Sequence, residues 1–126
     1  MGTLIKRASK DEPELMTVIS DNNELLYAAI NINVCKTSDG NHEWDSIVLP
    51  DFALENIHNS PKNIKKNVLI SHIIKAFYDD NNMTAIVNNY LSDMENTHYV
   101  HEFNEMQKVR KLAKETVNEI INKNLF

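Results

Sequence analysis

The sequence predicts an α+β domain: an N-terminal antiparallel β-meander of three or four strands, then three α-helices, the last one long. Three observations carry that expectation. Apolar residues alternate with a period of two before Pro50 and recur at helical spacing after it. Ser38-Asp39-Gly40-Asn41 reads as a hairpin loop, because Asp-Gly supplies positive φ cheaply. From Thr97 to Asn122 a helical stripe of apolar residues runs for about 40 Å at about 1.5 Å per residue.

In chain order, Thr3 to Arg7 is expected as a short edge strand, broken by Asp11-Glu12-Pro13. Leu15 to Ser20, with Met16, Val18 and Ile19, forms the next strand, and Asp21 to Glu24 a polar turn. Leu25 to Val34 is the strongest strand. Its residues Leu26, Ala28, Ile30, Ile32 and Val34 share one face, and Tyr27, Asn31, Asn33 and Cys35 share the other. Asn31 and Asn33 imply that this second face is partly wet near its end. After the hairpin, His42 to Leu49 returns beside it, with Trp44 as its largest residue. Such a sheet needs a cover to be stable, and the helices are expected to supply it.

Asp51 to His58 reads as a short helix ended by Asn59-Ser60-Pro61. A first long helix is expected from Pro61 or Asn63 to Tyr78, with Ile64, Val68, Leu69, Ile73, Ile74 and Phe77 on one side. A second runs from about Asn82 to Leu91, carrying Met83, Ile86, Val87 and Tyr90; these two are expected to cover the sheet. The third, capped by Asn96 or Thr97, exceeds what that cover requires. Its N-terminal half is suited to packing on the sheet or the first helix, and its C-terminal half is expected to project. The residues Tyr99, Phe103, Met106, Val109, Arg110, Val117 and Ile120, with the terminal Leu125 and Phe126, are therefore candidate interface residues. Either they pack within the chain, or the near-heptad spacing pairs two copies, with Arg110 in a core slot.

Composition narrows the function. At 126 residues, 42% hydrophobic and 25% charged, the chain is expected to be one ordinary domain. No apolar run reaches the roughly 20 residues of a membrane helix. The net charge is −5, and the first 50 residues hold eight acidic against four basic groups, which argues against a general nucleic-acid binder. Eighteen Asn residues point to base composition of the genome more than to chemistry. The single cysteine, Cys35, cannot form an internal disulfide and is expected to be packed and inert.

Candidate chemistry is sparse. Glu95, His98, His101, Glu102 and Glu105 crowd one helix, and Glu95-x-x-His98 matches one arm of a carboxylate-bridged di-metal bundle. That site needs the motif twice, and the other copy, Glu55-x-x-His58, falls in a short doubtful segment. The cluster is therefore read as a solvated face with His–Glu pairs one turn apart, with no metal expected. Only Gly2 and Gly40 exist, so glycine-rich phosphate loops are excluded. No catalytic residue and no cofactor is expected. Trp44 and Phe52 are assigned to the sheet–helix core, the alternative being an aromatic binding face.

The stretches Tyr27-Ala-Ala-Ile-Asn-Ile-Asn-Val, Glu43-Trp-Asp-Ser-Ile-Val-Leu-Pro50, Met83-Thr-Ala-Ile-Val-Asn-Asn-Tyr-Leu and Glu102-Phe-Asn-Glu-Met-Gln-Lys-Val-Arg-Lys-Leu-Ala-Lys resemble small structural or accessory proteins of gut Bacteroides-type phages and prophages. The resemblance covers most of the chain from about Lys6 onward and consists of framework residues. It implies a non-enzymatic virion-associated or assembly role in capsid or tail, assembled in the bacterial cytoplasm, with other phage structural proteins or further copies as partners. The alternative is an intracellular module, such as a phage-encoded inhibitor of a host protein.

Overall fold

The computed structural model describes residues 3–21, 24–50 and 60–125. Four strands, β1 (Thr3–Ser9), β2 (Met16–Asp21), β3 (Glu24–Lys36) and β4 (His42–Pro50), form one antiparallel sheet ordered β1-β4-β3-β2. Three helices follow: α1 (Lys62–Phe77), α2 (Asp80–Ser92) and α3 (Thr97–Asn122). The α+β architecture is thus the expected one. The short helix expected at Asp51–His58 lies outside the described residues.

Local chemistry sets the boundaries. Gly40 takes φ +87°, where a Cβ would be strained, and its N–H donates to the Thr37 carbonyl at 3.1 Å. Asp79 caps α2, its carboxylate accepting from Asn82 N–H at 2.7 Å. Asn96 caps α3 by accepting from the N–H groups of His98 and Tyr99 at 3.0 and 3.2 Å. At the far end Asn124 takes φ +53°. Leu125 N–H then reaches the Ile120 carbonyl at 3.0 Å, and Asn124 N–H the Ile121 carbonyl at 3.1 Å, a Schellman closure. It folds Leu125 back onto the core, so that residue is packed within the chain.

One sheet face is buried under helices. Its residues Met16, Ala28, Ile30, Ile32, Ile47 and Leu49 meet Leu69 and Ile73 of α1 and Ala113, Val117 and Ile120 of α3. Ile30 faces Ile47 across the β3–β4 ladder and Ala28 faces Leu49, so each inward pair shares one patch of cover. Each large side chain removed from water there contributes roughly 1.5–3 kcal/mol.

Two expectations about the cover are corrected. The C-terminal half of α3 enters the core, where Ala113, Val117 and Ile120 are fully buried. Small Ala113 is fully buried there, in one cluster with Leu69 and Ile73 of α1. The N-terminal half packs on α2, through a Tyr90–Phe103 stack with centroids 4.1 Å apart and planes within 8°, and its Glu102 also lies by Phe77 and Tyr78 at the end of α1. α2 therefore forms an outer layer on α3, and the sheet is covered by α1 and α3.

The expected faces of β3 hold from Ala28 to Ile32. Asn33 takes φ +56°, and the register shifts from Ile32↔Asp45 to Cys35↔Glu43. Asp45 and Glu43 are two residues apart and share a face, so the bulge carries Cys35 to the Ile32 side. The helical cover does not extend there, and Cys35 is exposed rather than packed. Val34 is displaced from the core by the same shift and is 39% exposed.

Candidate functional site

The face opposite the helices is where the sheet meets solvent and where its polar chemistry gathers. β1 and β2 lie at opposite edges, so residues 10–15 must carry the chain across the sheet. They do so over this open face. Asn31 Nδ2 donates to the Glu14 carbonyl at 2.8 Å, and the Lys10 carbonyl lies 3.2 Å from His42 Nδ1. A shallow cleft of about 270 Å³ results, walled by Arg7, Asp11, Glu12 and Pro13 and floored by Asn31, Trp44 and Ser46.

Asn31 holds the floor together. Its Oδ1 accepts from Trp44 Nε1 at 3.1 Å and from Ser46 Oγ at 2.9 Å, and its backbone N–H donates to the Leu15 carbonyl at 2.8 Å. Asn31 and Ser46 are both buried. This face is open to solvent, as expected, but Asn31 itself is buried in its floor and Asn33 is turned to the other side. The expectation for Trp44 is corrected. That residue belongs to the open face, not to the sheet–helix core, since it sits one residue out of phase with the inward Asp45, Ile47 and Leu49. Phe52 lies outside the described residues.

Beside the cleft runs the β1 edge. Among the described residues β1 pairs only with β4, so its outer backbone groups are open. Leu4 and Ile5, on opposite faces of the strand, are 38% and 39% exposed. The Lys6 side chain is 86% exposed but paired. It reaches its register partner Asp45, Nζ to Oδ1 at 2.6 Å, while Asn33 Nδ2 donates to Asp45 Oδ2 at 2.9 Å. Burial pushes the Asp45 carboxyl upward, but the Asn33 amide and the Lys6 ammonium outweigh it and hold the pKa below the ordinary value. The same pair raises that of Lys6, first through the hydrogen bond and then through charge.

The candidate interface residues of α3 are divided by the fold. Met106, Val117 and Ile120 are fully buried within the chain, and Phe103 is stacked on Tyr90. Tyr99 and Val109 are half-buried, and Arg110 is exposed beside α1 and α2, near Lys75 and Asp80. Leu125 is packed on the core, and Phe126 lies outside the described residues. In the His–Glu cluster, His98 Nε2 pairs with Glu102 at 2.7 Å one turn on, and Glu105 with Lys108 at 3.0 Å. Among the described residues no three His, Cys, Asp or Glu side chains are grouped so as to hold a metal ion, and no helix is long and apolar enough to cross a membrane.

A different histidine is set apart. His72 of α1 has a buried Nδ1 without a hydrogen-bond partner among the described residues. Burial, followed by nearby positive charge including Lys75, lowers its pKa. Sequence reading did not single out His72, whereas the Thr3–Arg7 edge strand is, with the last helix, one of the two surfaces the sequence offers for meeting a neighbour. The available signal for the edge was the run Leu4-Ile5-Lys6-Arg7, two apolar residues followed by two cations in a strand expected at a border. Compared with known proteins, the chain matches no protein-family model, no curated protein and no solved structure.

Proposed function

We propose that this is a non-enzymatic phage virion-associated or assembly protein, an accessory component of capsid or tail, that acts by protein–protein contact through β1. The observation that carries the reading is the open edge of β1. Edge strands are commonly protected by outward-pointing charges. Here Lys6 is paired with Asp45 and Arg7 lines the cleft, which leaves the border accessible to an added strand. The resemblance to phage accessory proteins supports the virion setting. The polar groups of the cleft floor bond to one another, which suits a structural role more than a reactive one.

Mass spectrometry of purified phage particles tests this. Stoichiometric presence in the particle is the expected result. Absence from particles combined with early expression contradicts the proposal and favours an inhibitor of a host protein.

A further inference from the structure

We infer that the segment added to β1 is an acidic extended peptide, running antiparallel, with a carboxylate opposite Arg7 and apolar side chains opposite Ile5 and Leu4. The inference rests on the contact reading above and gives the partner its chemistry. Residues 3–10 carry Lys6, Arg7 and Lys10 and no acidic group, in a chain of net charge −5. An acidic segment is repelled by the body as a whole and by Asp11 and Glu12 of the same cleft, and is attracted at this border by Arg7 and Lys10.

The two strand cations are not equivalent. Asp45 already neutralises Lys6. Arg7 is exposed, and among the described residues its guanidinium has no acceptor. A guanidinium presents a planar fork that a carboxylate can meet with two parallel bonds. Residues directly opposite in an antiparallel ladder share a face, so a carboxylate opposite Arg7 lies on the cleft face. An apolar residue two positions further along the peptide falls opposite Ile5 on that same face. The next residue falls opposite Leu4 on the helix side. The partner therefore reads acidic, neutral, apolar, apolar in its own N-to-C direction.

Trp44 is the only tryptophan in the chain and is the register partner of Arg7, so its fluorescence reports on this spot. The full chain is titrated with the peptide Thr-Thr-Glu-Thr-Val-Val-Thr and with the same peptide carrying Lys for Glu. Trp44 emission is expected to respond to the Glu peptide, which binds about tenfold more tightly than the Lys peptide at low salt, the gap narrowing at high salt. Arg7→Glu should reverse the preference, and Arg7→Gln should abolish it, with circular dichroism confirming that both fold. Equal binding of the two peptides, or an unchanged preference in Arg7→Glu, overturns the acidic strand. So does light scattering showing that two copies occupy the edge. Lack of binding by either peptide, with β1 still in contact with a particle protein, overturns this inference alone. Absence of that contact overturns the function reading.

Discussion

Trp44 and Asn31 are joined across the β3–β4 pair by an Nε1–H···Oδ1 bond of 3.1 Å, and the same oxygen takes the Ser46 hydroxyl at 2.9 Å. One carboxamide thus satisfies two donors and, through its own Nδ2, anchors the crossing segment at Glu14. Asn31→Ala would strand a buried hydroxyl and an indole N–H, each costing about 1–3 kcal/mol when left unpaired. A loss of roughly 2–4 kcal/mol is expected by urea denaturation, with Trp44→Phe losing less because it removes a single donor. A loss below that of Trp44→Phe would show that the network is not the keystone of the open face.

The division of α3 is testable by truncation of side chains. Ile120→Ala, in the sheet-facing half, is expected to lose about 2–5 kcal/mol. Arg110→Ala, exposed in the middle of the helix, should stay within about 0.5 kcal/mol. Equal effects at both positions would mean that the C-terminal half is not docked as described.

Asp45 sets an acid limb. Its folded pKa lies below the ordinary 3.8, so its contribution is present above that pH and is lost as pH falls through the folded value. Thermal melts of the wild type should fall away below about pH 4. Asp45→Asn should be less stable at pH 7 and lose less on acidification. A variant with the wild-type acid limb would assign that limb to other carboxylates.

His72 should act at milder pH and with its own sign. Burial lowers its folded pKa from the ordinary 6.5, so the unfolded chain takes up the proton first. Stability is then full above pH 6.5 and declines as pH falls through the folded value. His72→Phe, which fits a buried site without a charge to lose, is expected to flatten the curve just below pH 6.5. An unchanged slope there would show that another group is responsible.

Much of the architecture was legible because local chemistry decides it. Asn96 announces the start of α3, Asp39-Gly40 the hairpin, and the change of period at Pro50 the move from sheet to helices. The features that were not legible depend on distant partners. An Asn in the left-handed region is cheap, but nothing local says that Asn33 and not Asn31 will adopt it, and that choice determines where Cys35 and Val34 point. The side to which Trp44 turns follows from β4 pairing with β3 and also with β1, some forty positions away in the chain. Small Ala113 reads as a weak point of the apolar stripe, although it is fully buried in the core. The β1 edge was expected as a strand, yet its accessibility depends on Lys6 being held by Asp45, which no local pattern reveals.

The most direct test of the account is site-specific photo-crosslinking in cells that produce the protein natively. A photoreactive residue is placed at Ala8 in β1, with a control at the exposed Lys114 of α3. The account predicts cross-links from position 8 to a phage particle protein and none from position 114. Cross-links from the helix alone, or from neither position in cells where particles assemble, would contradict it.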